Sequence, residues 1–148
     1  MRRVITLILI ILMAVSITAC GKDYSKRQFD ELGEDFHWDM TVEDAYAYID
    51  ARQIGVKTGI EVDEFDTFTS VNDRYYTFRF DKDGKLEFVK INLYGNENKF
   101  RLLKEKYGEY DDYEESYDGY LWYGTMDGQN TVMVYTKFAG WWLEFKRP

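Results

Sequence analysis

The sequence predicts an α+β fold: a two-layer domain in which an antiparallel sheet of about six strands carries two helices on one face. Three observations point there. Apolar residues recur at helical spacing near residues 41–53 and 97–107, and with period two elsewhere. Asp83-Gly84 and Asp127-Gly128 sit between alternating segments, where two-residue hairpin turns belong. Aromatic residues make up 18% of the 148 residues and the only proline is Pro148, a composition that favours unbroken strands.

The elements follow in order from local signals. Residues 21–34 are polar and read as a tether. Ser25-Lys26-Arg27-Gln28 also fits a capping box, with Phe29 and Leu32 at helical spacing, so a short helix is the competing reading. The folded domain is expected from Phe36-His37-Trp38 onward. Thr41 is the expected N-cap of a helix with Glu43 and Asp44 in its first turn. Val42, Ala45, Tyr46 and Ile49 form its apolar stripe, and Gly55 should stop it after Gln53.

Residues 58–62 and 65–71 are candidate strands. Tyr76, Phe78 and Phe80 then alternate with Tyr75, Thr77 and Arg79 in a half-buried strand. After the Asp83-Gly84 turn the chain returns over residues 85–94. Here Leu86 and Phe88 share one face, whereas Val89, Ile91 and Leu93 take the other. A β-bulge near Phe88-Val89, or a strand covered on both faces, accounts for that slip.

A second helix is expected over residues 97–107, with Phe100, Leu103 and Tyr107 on one side. Lys104 and Lys106 suit its C-terminal dipole, and Gly108 is its C′ residue. Strands follow at residues 117–126, 131–137 and 141–146, the last two joined at Ala139-Gly140. Trp141, Leu143 and Phe145 share a face and are assigned to the core.

The N-terminus has its own pattern. Met1-Arg2-Arg3 is basic, and residues 4–17 are apolar except for Thr6 and Ser16, a run shorter than the roughly 20 residues of a membrane span. Ile17-Thr18-Ala19-Cys20-Gly21 resembles the lipobox of bacterial lipoproteins. That resemblance implies a diacylglyceryl group on the Cys20 thiol and cleavage just before it. It implies this layout: signal peptide over residues 1–19, lipidated Cys20 and tether over 20–35, and a single α+β domain over 36–148. The expected location is the extracytoplasmic face of the cell membrane, with acylated Cys20 as the anchor. Cys20 is the only cysteine, so the exported domain folds without disulfides.

Asp39-Met40-Thr41-Val42-Glu43-Asp44-Ala45, followed by strands and the Asp81-Lys82-Asp83-Gly84 hairpin, is similar to another group. These are the small lipoproteins of the outer-membrane β-barrel assembly machinery and the related β-lactamase inhibitory proteins. Those are protein-binding α+β modules; this chain has Asp39 where their pattern has Gly, and it lacks their later Leu-Gly-x-Pro.

Composition excludes several chemistries. A net charge of −8 opposes binding to nucleic acid, and loss of Arg2 and Arg3 would make the mature chain more acidic still. His37 is the only histidine and no thiol remains beside Cys20, so no metal site is expected. Ser25, Ser70 and Ser116 lie outside any G-x-S-x-G elbow, and no glycine-rich phosphate loop is present. No catalytic residue and no cofactor are assigned; a carboxylate-dependent hydrolase is the remaining enzymatic alternative. Gly84 comes too early in Asp81-Lys82-Asp83-Gly84 for the glycine an EF-hand needs at position 6, so this is a hairpin turn.

Recognition is the better-supported class. Glu109, Asp111, Asp112, Glu114, Glu115 and Asp118 are interleaved with Tyr110, Tyr113 and Tyr117, a pattern of a solvated loop or a charged edge strand. Those three tyrosines, with Trp122 and Trp142 placed on the open sheet face, are the candidate binding residues. The expected function is a lipid-anchored envelope module that binds another envelope protein; the alternative partner is a glycan.

Overall fold

The computed structural model describes residues 21–52, 57–63, 67–94, 98–138 and 140–148. The expected signal peptide, Cys20, the helix stop at Gly55 and the turn residue Ala139 lie outside them. The elements are helix α1 (Val42–Arg52), strands β1 (Gly59–Val62), β2 (Phe68–Asn72), β3 (Tyr76–Asp81) and β4 (Leu86–Asn92), and helix α2 (Lys99–Tyr107). Strands β5 (Asp112–Glu114), β6 (Gly119–Met126), β7 (Gln129–Thr136) and β8 (Trp142–Lys146) complete the chain. They form one antiparallel sheet in the order β1-β2-β3-β4-β8-β7-β6-β5.

This overturns the expected two-layer α+β domain of about six strands. Among the described residues the fold is essentially one eight-stranded sheet with two short helices. Helices of 11 and 9 residues are about 16 and 13 Å long. Strands spaced about 4.8 Å apart make the sheet roughly 34 Å across, more than those helices cover. Strand β5 falls in the acidic stretch read as a solvated loop or a charged edge strand, and it is the edge strand, with all of its residues exposed.

One transverse row makes the core. Val71, Phe78, Val89, Phe145, Met133 and Trp122 are neighbours across β2, β3, β4, β8, β7 and β6, and each has 0% exposure. Three pieces lie on this row. Helix α1 brings Tyr48 to within 5.2 Å of the Phe78 ring, and α2 brings Phe100 to 6.2 Å from Trp122. Between them run residues 24–40, which place Phe36 at 6.3 Å from Phe78 and Phe29 at 6.4 Å from Phe145.

Residues 24–40 are therefore a strap packed into the core, neither tether nor helix. Phe29, Leu32, Phe36 and Trp38 are all buried. The strap bridges Thr125 of β6 in parallel, with Phe29 N–H donating to the Thr125 carbonyl at 2.8 Å and Thr125 N–H to the Arg27 carbonyl at 2.9 Å. Gly124 is what lets it cross so closely. A Cβ there would stand 2.7 Å from the Phe29 ring and 2.8 Å from the Arg27 carbonyl oxygen.

Arg27 locks the crossing. Its guanidinium donates to the carbonyls of Tyr107 (2.7 Å), Glu109 (2.9 Å) and Tyr123 (3.1 Å) and to the Asp111 carboxylate. Asp111 in turn accepts from Tyr123 N–H at 2.8 Å. A second tie joins the strap to α2: Glu31 accepts from Lys99 (2.6 Å), Lys106 (3.0 Å) and the Tyr107 hydroxyl (3.1 Å).

Local helix signals are met where they rest on caps. Thr41 and Asp44 bond reciprocally, Asp44 N–H to Thr41 Oγ1 at 3.2 Å and Thr41 N–H to the Asp44 carboxylate at 3.0 Å. Gly108 sits at φ +81 and its N–H caps the Lys104 carbonyl. The expected α1 stripe needs one correction: Tyr48 is buried beside Ala45 and Ile49, whereas Tyr46 is exposed. Tyr48 turns inward because its hydroxyl donates to the Leu32 carbonyl of the strap at 2.5 Å.

Candidate functional site

The face opposite the core row is not covered by the helices, and it carries the candidate site. The slip in β4 decides which side chains reach it. Arg79 pairs Phe88 and Phe80 pairs Leu86, so Glu87 is the extra residue of a bulge. Leu86 and Val89 are consequently both buried, and Phe88 turns outward instead of sharing the face of Leu86.

Two rows build the site. Ser70, Arg79, Phe88 and Lys146 are neighbours across β2, β3, β4 and β8. Thr77, Lys90 and Glu144 form the next row across β3, β4 and β8. Cations stand over aromatic rings throughout. The Lys90 ammonium is 3.8 Å from the Trp142 ring centre, and the Arg79 guanidinium is 4.8 Å from Phe88 and 5.6 Å from Phe68. Lys146 lies 5.9 Å from Phe88 and 5.7 Å from Tyr117.

Glu144 is the hub, its side chain only 14% exposed between Lys146 at 3.2 Å and Lys90 at 3.7 Å. Arg79 is paired with Glu87 at 2.7 Å. Glu61, the β1 partner of Ser70, and Asp112 and Glu114 of β5 lie on the same side as Glu87 and Glu144, so cations and carboxylates are interleaved across this face with no positive excess. The surface is shallow, with an open hollow between Phe68, Arg79, Phe88, Lys90 and Lys146.

No family model, no curated protein and no solved structure matches the chain. What the site can do follows from its own geometry. Charged groups paired across half-buried rings present a rigid surface for recognition. Among the described residues no group of three or more His, Cys, Asp and Glu converges to hold a metal ion.

The five sequence-predicted binding residues do not gather in one place. Trp142 and Tyr117 meet on the open face, flanking a small hollow with Lys90, Thr136, Glu144 and Lys146. Tyr117 lies across Gly119, where a Cβ would stand 2.1 Å from its ring, and burial pushes its hydroxyl pKa up. Tyr110 and Tyr113 are on the helix side, each 5.0 Å from the Tyr120 ring. Trp122 is in the core and donates its indole N–H to the Gly108 carbonyl at 3.0 Å. Its assignment to the open face is corrected because Trp122 shares the row of Met133 and Phe145.

The acidic stretch around β5 is largely committed to structure. Asp111 holds Arg27, Asp112 accepts from Lys22 at 2.9 Å, and Asp118 accepts from the Tyr113 hydroxyl at 3.0 Å. Another hollow, of about 690 Å³ beside α1, is lined by Asp35, His37, Asp39, Asp44, Arg52 and Asp127. Its Arg52 is engaged by Asp35 at 2.5 Å and stacks 3.5 Å above the Tyr48 ring. Asp81-Lys82-Asp83-Gly84 is a turn in which the Asp81 carboxylate accepts from the N–H groups of Asp83 and Lys85, both at 2.9 Å.

Sequence reasoning missed Phe68, Arg79, Phe88, Lys90, Glu144 and Lys146. Period-two alternation opposite Phe78 and Phe145 pointed to Arg79, Glu144 and Lys146. Nothing local marked them as neighbours, because the pairing of β4 with β8 joins segments separated by α2 and three strands.

Proposed function

We propose that the chain is a lipid-anchored extracytoplasmic protein whose open sheet face binds another envelope protein. The observation that carries this reading is the alternation of Arg79, Lys90 and Lys146 with Phe68, Phe88, Trp142 and Tyr117 on the open face. Cations held over half-buried rings and interleaved with carboxylates give this face a fixed charge pattern that a partner of complementary pattern would match. The lipobox at Ile17-Thr18-Ala19-Cys20 supports the anchor, and the absence of disulfides is consistent with a fold held by packing alone. Among the described residues no helix is long and apolar enough to cross a membrane.

The test is a photo-crosslinking residue at position 88 in the full chain, expressed in its own cells. One discrete protein adduct is expected, lost when Lys90→Glu and Lys146→Glu are added. An equal adduct from position 46, on the exposed side of α1, would overturn the assignment of the open face. Adducts to carbohydrate alone would favour the glycan-binding alternative.

A further inference from the structure

The described chain begins at the most aromatic end of the sheet. Going backward along the strap, Gln28 bridges Thr125, Tyr24 meets Tyr123 edge-on at 5.5 Å, and Lys22 reaches Asp112, the strand partner of Leu121. The segment therefore descends along β6 from position 125 through 123 to 121, toward Gly119. Only Gly21 separates Lys22 from Cys20, and two residues of extended chain reach at most about 7 Å.

Exposed rings collect at that same end. Tyr113 in β5 is 44% exposed, Phe138 just after β7 is 66%, Tyr75 just before β3 is 41%, and Tyr94 just after β4 is 61%. Arg74 stacks 4.8 Å from the Tyr94 ring, and the Lys137 ammonium lies 5.3 Å from Trp141. Of the connections at the opposite end, Asp81-Lys82-Asp83-Gly84 and Asp127-Gly128 contain no aromatic residue and the one between β1 and β2 contains Phe65 alone. Tyr, Trp and Phe flanked by Arg and Lys match the headgroup layer of a bilayer, where rings sit at the boundary and cations meet phosphates.

We propose that this aromatic end rests in the lipid headgroup layer, so that the domain stands directly on the membrane with its open face upright beside the bilayer. The proposal rests on the reading of Cys20 as a lipid anchor. Glu114, Glu115 and Asp118 share the corner near β5, so the surface fits zwitterionic headgroups better than anionic ones. A partner of the open face would then be engaged within a few residues' reach of the bilayer, as a protein with its own membrane attachment would be.

The full chain would be produced in a bacterial host and the intact mass of the mature protein measured. It would then be reconstituted in phosphatidylcholine vesicles brominated near the headgroup end of the acyl chains, which quench nearby Trp fluorescence. Phe138→Trp and Lys82→Trp each add one indole, at opposite ends of the sheet. The expected result is that the emission added by Phe138→Trp is largely lost while that added by Lys82→Trp persists. A long Gly/Ser insertion between Gly21 and Lys22 should restore the lost emission, and Tyr94→Trp should behave as Phe138→Trp does. An acylated protein in which both ends are quenched alike, or neither is, would overturn the proposal and leave the anchor standing. A mature protein carrying no acyl group would overturn the anchor and this proposal together.

Discussion

Trp122 and Trp142 stand on opposite faces of one sheet, and their surroundings differ in kind. Trp122 is sealed beneath Phe100, its indole N–H held by a backbone carbonyl. Trp142 is half-buried under a lysine ammonium. The covered face spends its aromatics on holding the strap and helices to the sheet. The open face spends them on seating charges. The difference teaches that aromatic content alone does not mark a binding surface; the proposed one is set apart by rings that carry cations.

The sharpest way to break that comparison is to truncate both tryptophans. Trp122→Ala should cost about 3–5 kcal/mol, read as a lower urea midpoint, because a large cavity opens in the core. Trp142→Ala should cost under about 1 kcal/mol and instead abolish the adduct from position 88. Equal losses of stability would mean that the open face is structural.

Arg27→Ala comes next. It strands the Asp111 carboxylate and three carbonyls around a largely buried side chain, and should cost about 2–4 kcal/mol in the same denaturation experiment.

The tie between strap and α2 also makes the covered face acid-sensitive. Burial pushes the Glu31 carboxyl up, but hydrogen bonds and charge from Lys99 and Lys106 outweigh it and hold its pKa below the ordinary 4.5. A carboxyl depressed on folding contributes stability that is complete above its unfolded value and is lost as pH falls through the folded one. Stability should therefore fall below pH 4.5, and Glu31→Gln should flatten that fall while lowering stability at neutral pH. An unchanged pH profile would remove Glu31 from this role. The smallest effect is expected for Lys146→Ala, within about 0.5 kcal/mol, since its partner Glu144 keeps Lys90. Loss of the position 88 adduct in that variant would show binding and stability separating on the open face.

What the sequence made legible was chemistry contained within a few residues. Thr41 and Gly108 marked helix ends because a cap is a local hydrogen bond, and the Asp-Gly dipeptides marked hairpins because φ > 0 is a local demand. The slip at Leu86-Phe88 was visible, and the bulge resolves it. The face of Trp122 was not, since Tyr120-Leu121-Trp122-Tyr123 has no polar alternation to set its parity. The role of Arg27 was beyond reach because its acceptors lie 80 or more residues away and three of them are carbonyls, which no residue type announces. The extended strap was hidden for the same reason: its pairing site on β6 does not show in its own composition.

The strap also sets a clock. Residue 27 meets a partner 96 positions later, so the strap cannot find its place until β6 and β7 exist. On the export route proposed above, the amino end would cross the membrane first and wait there with Phe29 and Trp38 unsatisfied until the carboxyl end arrived. A chain ordered this way stays threadable throughout transit and closes only on the far side, at the cost of slow, nonlocal folding and a period of vulnerability to proteases.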